Sequence, residues 1–242
     1  MKIERKQGLY EKCVKRALDI ICSLLFIILF CWLYLIISIV VRVKMGSPVL
    51  FKQPRPGIVK NGKETIFDMY KFRTMTDAKD ASGKLLPDDQ RLPKFGAMLR
   101  STSLDELPEV FCILKGDMSV IGPRPQLVRD MVFMSEDQRM RHTAKPGLTG
   151  LAQVKGRNAI TWEEKLNWDL KYIEKVTFIN DVKILFETVI AVFNRSGITD
   201  GENATALDYG DALLKAGKVS YEKYLTEQEH AQNLIMAHEG RK

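Results

Sequence analysis

The stretch from Ile20 to Val41 reads IICSLLFIILFCWLYLIISIVV, 22 residues without a single charge. A helix rising about 1.5 Å per residue needs roughly 20 apolar residues to cross a hydrocarbon core, so this run predicts a membrane-inserted helix. A cleavable signal peptide has a shorter apolar core followed by a small-residue cleavage site, and neither feature is present. Positive charge flanks the run on both sides, with Lys12, Lys15 and Arg16 before it and Arg42, Lys44, Lys52 and Arg55 after it. The positive-inside rule therefore casts no vote for a span, and a hairpin that returns to the same face stays open beside it. A break in a membrane helix normally takes a proline or a small polar residue, and the middle of this one reads Phe30-Cys31-Trp32-Leu33.

Outside the helix the chain has the composition of a folded domain. Its 242 residues are 45% hydrophobic and 28% charged, enough for one substantial domain and an appendage. The net charge of +7, with an isoelectric point near 9.1, suits an anionic leaflet or a polyanionic small molecule. Nucleic acid is not an expected partner, because no basic-aromatic reading surface or binding motif occurs. Cys13, Cys22, Cys31 and Cys112 form no CxxC pair and read as small buried hydrophobes, implying neither zinc nor disulfides. His142, in Arg141-His142-Thr143, reads as a helix-end residue, and the three histidines have no metal-like spacing.

After Lys44-Met45-Gly46-Ser47-Pro48 the pattern changes. Val49 to Gln53 is a short extended run, Pro54-Arg55-Pro56-Gly57 predicts a turn, and Asn61-Gly62 is a strong hairpin signal. If Ile66 to Thr74 is a strand, its period of two sends Lys71 and Arg73 to one face and Tyr70 and Phe72 to the other. Two cations there are either a solvated face or a diphosphate-binding pair. Asp77 to Pro93 reads as an exposed connection.

The chemistry concentrates in Ser103-Leu104-Asp105-Glu106-Leu107-Pro108 and Lys115-Gly116-Asp117-Met118-Ser119-Val120-Ile121-Gly122-Pro123-Arg124-Pro125. A carboxylate can be a nucleophile toward phosphorus or a ligand for magnesium, and a rigidly held guanidinium is a fork for phosphate oxygens. The plainer reading is that Ser103 and Glu106 form a capping box at the start of a helix over Leu104 to Leu114. Arg100 just before the dyad and Gly122-Pro123-Arg124-Pro125 just after it favour phosphoryl chemistry.

The last third reads as helical. Trp162, Leu166, Leu170, Ile173 and Val176 recur at helical spacing, and Asn180 is read as the N-cap of a helix that is apolar nearly all round, either buried or against lipid. Between them and the dyad lies a glycine-rich loop, Pro146-Gly147-Leu148-Thr149-Gly150, followed by Gln153-Val154-Lys155-Gly156-Arg157-Asn158. Such a loop brings backbone amides and an arginine close to a ligand. The tail beyond Thr199 carries a polar helical stretch from Tyr221 to His238 and no readable role.

Taken together, LDELP, KGDMSVIGPRP, KPGLTG and GRNAITW give the chain, from about Tyr10 to Gly197, a specific resemblance to the monotopic phosphoglycosyl transferases of the bacterial sugar transferase superfamily, close to their smallest members. The resemblance implies a magnesium-dependent enzyme of the bacterial inner membrane, its catalytic domain facing the cytosol. It would move a phosphosugar from a UDP-sugar to polyprenol (undecaprenyl) phosphate and release UMP. Asp105 would be the nucleophile that forms a covalent phosphosugar intermediate, and Glu106 its partner; both would serve the metal. Lys71 and Arg124 would hold phosphate, with Arg73 and Arg100 beside them. Gln153, Arg157 and Asn158 would belong to the nucleotide-sugar pocket. Downstream glycosyltransferases are the expected protein partners, and oligomeric state is not readable.

The resemblance also implies a fold class: α+β, mainly helical, with a re-entrant membrane helix, a small antiparallel β element and amphipathic interfacial helices. The corresponding division is 1–47 for the membrane segment, 48–198 for the catalytic domain and 199–242 for an extension. Cys31-Trp32 stands where the family usually has a helix-breaking Ser-Pro pair, so a straight span remains the alternative. Cys112, Leu151 and Lys155 stand where the family often has asparagine, tryptophan and asparagine. The rival functional class is a catalytically idle, membrane-tethered scaffold of a glycan assembly complex.

Overall fold

The computed structural model describes residues 5–156, 160–193 and 207–241. It is α+β and mainly helical. A single π-helical turn, Tyr10–Val14, leads into α1, Lys15–Met45. The interruption that a re-entrant course calls for is absent. Helical structure continues through Cys31 and Trp32, and Trp32 Nε1 donates to the Leu29 carbonyl at 3.1 Å. The reason is residue choice, since no proline lies between Lys15 and Met45 to remove a backbone donor.

Two strands follow, β1 (Leu50–Lys60) and β2 (Lys63–Phe72), joined at Asn61 and Gly62, both of positive φ as a two-residue hairpin turn demands. The turn expected at Pro54-Arg55-Pro56-Gly57 is instead part of β1. Prolines two apart place their donor-less nitrogens on one edge of a strand, and a strand accommodates them where that edge is unpaired. Short helices α2 (Asp88–Arg91) and α3 (Lys94–Ser101) precede α4 (Glu109–Lys115). Then come β3 (Ser119–Ile121), α5 (Val128–Met131), α6 (Glu136–Arg139), β4 (Gly147–Thr149), α7 (Leu151–Gly156), α8 (Trp162–Glu174), α9 (Phe178–Phe193), α10 (Tyr209–Lys215) and α11 (Tyr221–Glu239). α8 begins at Thr161, whose hydroxyl accepts from the Glu164 amide while the Glu164 carboxylate accepts from the Thr161 amide. Asn180 is inside α9 and does not cap it; its side chain donates to the Lys175 carbonyl at 2.8 Å.

The chain divides into two compact units. One comprises Ile20–Gln53 and Asp68–Lys115, the other Met1–Asp19, Pro54–Phe67 and Gly116–Lys242. In the first, α1 turns Ile37, Val41 and Met45 onto Phe72 and Leu99, an i, i+4, i+8 stripe that forms the core. Its other face, including Leu25, Ile28, Trp32, Leu35, Ile39 and Val43, is exposed. Three cysteines lie on exposed positions, so the expectation of buried thiols holds for Cys112 alone.

The second unit is built around Ile121, Ala144, Tyr172, Ile173, Val176 and Ile184. β3 and β4 pair in parallel, with Ser119 beside Gly147 and Ile121 beside Thr149. The tail is packed: Ala231 of α11 is buried against Val128 and Met131 of α5. Asp130 accepts from the Tyr209 amide at 2.8 Å, and burial pushes its carboxyl up to about 6. α9 keeps Asp181 and Ile184 inside and presents Phe178, Ile179, Val182, Leu185, Phe186, Val189 and Ile190 outward as one apolar stripe.

Candidate active site

The dyad sits on a single 3-10 turn, Leu104–Glu106. Ser103 before it is left-handed, with φ 55°, and its side chain makes no capping hydrogen bond. The capping-box reading therefore fails, and with it the continuous helix expected over Leu104 to Leu114, since α4 starts only at Glu109, after Pro108. Neither Asp105 nor Glu106 is occupied in closing a helix end.

Lys71 is the penultimate residue of β2, and its ammonium donates to Glu106 Oε1 at 2.7 Å. It also stands 3.4 Å from Glu109 Oε1. Sequence reading passed over Glu109, which is almost fully buried. The available signal was its spacing, four residues after Asp105 and at the head of the apolar run Val110-Phe111-Cys112-Ile113, where a carboxylate is inward-facing only for a reason.

Asp105 is itself buried. Burial pushes its carboxyl above the usual carboxylate range, Lys71 and Arg100 pull it back, and the neighbouring Glu106 adds to the rise. Arg100 is aimed by its Nε donating to Thr74 Oγ1 at 3.0 Å. Lys71, Arg100, Asp105 and Glu106 thus form one interacting group in one unit. Arg73 has other commitments, with hydrogen bonds to the Met75 and Ser47 carbonyls and an ion pair with Asp77. It fastens the end of α1 to the segment after β2.

The GPRP and PGLTG elements meet in the other unit through backbone alone. Gly122 N donates to the Thr149 carbonyl at 2.9 Å and Gly147 N to the Pro123 carbonyl at 3.0 Å. A Cβ on Gly122 would lie 2.3 Å from the Lys145 oxygen, and one on Gly147 would lie 2.1 Å from the Gly122 nitrogen. The glycines are there for close approach. Arg124 is partly buried, and its carbonyl accepts from Arg141 at 2.6 Å. Arg141 is fully buried against Asp169, with Nη2 2.7 Å and Nε 2.9 Å from Oδ2. This ion pair, which the sequence did not announce, fixes the backbone that presents Arg124. His142 is buried beside Glu64 and lowered by desolvation to about 4, neutral near pH 7 and outside the described chemistry. Gln153 Nε2 donates to the Leu148 carbonyl at 3.3 Å, inside the same glycine-rich segment. Arg157 and Asn158 lie outside the described residues.

Among the described residues, no three metal-ligating side chains converge. The donor set at the dyad is two adjacent carboxylates, which suits magnesium of the kind held by one or two carboxylates with substrate phosphates completing its shell.

With this geometry in place, the chain's relatives can be set beside it. The sequence profile of the bacterial sugar transferase family matches residues 10–195. The chain belongs to that family. It is 46% identical over 193 residues to an uncharacterised sugar transferase, EpsL, of Bacillus subtilis, covering 80% of this chain and 94% of that one. It is 40% identical over 189 residues to a UDP-glucose:undecaprenyl-phosphate glucose-1-phosphate transferase of Klebsiella pneumoniae, and 35% identical over 204 residues to an undecaprenyl-phosphate galactose phosphotransferase of Salmonella typhimurium. Those alignments cover 74% and 77% of this chain but only 40% and 42% of the longer relatives.

Proposed function

We propose that this protein transfers a phosphosugar from a UDP-sugar to undecaprenyl phosphate, the chemistry named for its Klebsiella and Salmonella relatives, by two displacements at Asp105. The observation that carries the reading is the Lys71–Glu106 contact beside a buried Asp105 of raised pKa, a carboxylate made reactive by poor solvation and drawn back toward its ionised form by its cations. In the first displacement an Asp105 oxygen attacks the β-phosphorus, the bond to the bridging oxygen breaks, and UMP leaves with that electron pair. In the second a phosphate oxygen of the lipid attacks the phosphorus on Asp105, and the carboxylate is released unchanged. Lys71 and Arg100 supply positive charge for the phosphate oxygens, and Glu106 orients the Lys71 ammonium. Magnesium, held by Asp105 and Glu106, would neutralise the diphosphate that a carboxylate must approach.

The exposed faces of α1 and α9 support a membrane location. Exposed apolar patches of that extent are covered by lipid or by protein. Because UDP-sugars are cytosolic, the unit carrying Asp105 would face the cytosol of the bacterial inner membrane. A bimane label on Phe186→Cys, in a background without Cys13, Cys22 and Cys31, should be quenched by brominated phospholipid. An unquenched label would remove α9 from the bilayer surface.

The deciding assay is UMP release by purified protein with magnesium and undecaprenyl phosphate across a panel of UDP-sugars. Release with one donor names the sugar, whereas silence from folded protein favours the idle scaffold. Lys71→Met should cost about 100-fold or more in turnover. It should also move the acid limb of the pH–rate profile upward, because Asp105 loses the cation that lowers its already raised pKa. An unmoved limb would assign that titration to another group.

A further inference from the structure

A second charged site lies in the unit that does not contain the dyad. A cavity of about 220 Å³ is lined by Lys12, Lys15, Arg16 and Lys145 with Glu11 and Asp19, four cations against two carboxylates. It shares no residue with the Lys71–Asp105–Glu106 group. The carboxylates are already engaged: Glu11 with Arg5 at 2.5 Å, and Asp19 accepting from Ser119 Oγ at 3.0 Å and the Val120 amide at 2.9 Å. Lys15 is paired with Asp181. Arg16 lies across Gly116, its Nη2 3.2 Å from where a Cβ would be. Lys145 is half-buried, and desolvation lowers its pKa, with Arg16 and Lys60 adding to the fall and Asp19 and Asp117 opposing it.

Its position gives the site meaning. The cavity lies at the foot of α1, where the uncharged run begins one residue after Asp19. α9 starts at the same place: Asp181 accepts from Tyr10 at 2.8 Å, Tyr172 at 2.9 Å and Lys15, while the Tyr10 and Phe178 rings meet edge-on at 6.1 Å. α9, with its exposed apolar face, therefore starts beside a cationic cavity. At about 220 Å³ it is below the roughly 300 Å³ at which drug-sized ligands begin, and it suits a phosphate with the start of its ester.

We propose that this cavity binds a phosphate group, supplied by the headgroup of an anionic phospholipid whose chains run along the α9 face. The inference rests on the membrane reading of that face. It is separate from the transfer chemistry.

The test uses the full chain in neutral detergent and follows thermal unfolding with dihexanoyl phosphatidylglycerol, dihexanoyl phosphatidylcholine or inorganic phosphate. Phosphatidylglycerol should raise the midpoint and phosphatidylcholine should not, since a ligand specific to the native state stabilises it. The shift should fall by half or more in Lys145→Gln and in Lys12→Gln, the latter at an exposed position that leaves packing untouched. An equal rise with inorganic phosphate would keep the phosphate site and overturn the lipid as its source. Insensitivity of the wild-type chain to both phosphates, or a full shift in both variants, would overturn the site. Asp105→Asn should show the wild-type shift, so failure here reads separately from failure of the transferase assignment.

Discussion

Asp105→Asn gives a chain that stays with the membrane, keeps its fold and releases no UMP from any UDP-sugar. Loss of a nucleophile that forms a covalent intermediate costs more than about 1000-fold, since the amide has no lone pair of comparable reactivity and the remaining groups only position phosphate. The same change should stabilise the protein. Burial raises the Asp105 pKa in the folded state, so the unfolded chain gives up this proton at lower pH. Ionised Asp105 therefore opposes folding increasingly as pH climbs from the unfolded pKa through the folded one. The melting midpoint of Asp105→Asn should exceed that of the wild type near pH 7.5, with a gap that narrows toward acid. Residual turnover within tenfold of wild type would take the nucleophile role away from Asp105. A lowered midpoint would mean that the carboxylate is a structural anchor.

Gly147→Ala should be strongly damaging although it lies outside the dyad. The added carbon would lie 2.1 Å from Gly122 N and 2.6 Å from Gly122 Cα, and these are backbone atoms with no rotamer to escape into. Overpacking of this kind costs about 3 kcal/mol. Because β3 and β4 would be forced apart, the Pro123 carbonyl would lose its bond from Gly147 N. Denaturant unfolding should show a lower midpoint, and UMP release should fall with it as the backbone beside Arg124 loses register. Gly62→Ala makes the comparison: its surroundings are open and its difficulty is a φ of 76° alone, so it should cost less. Equal stability of Gly147→Ala and the wild type would mean that the two loops part freely.

The Asn61-Gly62 turn, the helix from Trp162 and the α11 helix were legible because each is decided within a few residues, by turn chemistry or periodicity. Lys71, Arg100, Asp105 and Glu106 were legible as a set because their motifs are specific, and the structure brings them together in one unit. What stayed hidden depended on partners distant in sequence. Glu109 is inward-facing because of Lys71, 38 residues away, and Arg141 is buried because Asp169 is there to receive it. Pro54 and Pro56 suggested a turn because one strand in isolation does not reveal which of its edges will be free. Ser103 obeyed the capping pattern in letters and broke it in dihedral angle, leaving the dyad exempt from helix closure.

The interleaving of the two units limits how this enzyme can exchange parts with its relatives. Passage between them occurs four times along the chain, after Asp19, Gln53, Phe67 and Lys115, the first inside α1 and the next two inside the strands of the hairpin. A chimaera joined at a single point inside residues 20–115 inherits both units from two parents, whereas a junction before or after that stretch divides only the unit that holds the chain ends. Recombination with a relative at 46% identity would then ask two independently drifted halves to share a core, and viable grafts should cluster near the ends of the matched region, leaving the interleaved middle to be inherited whole.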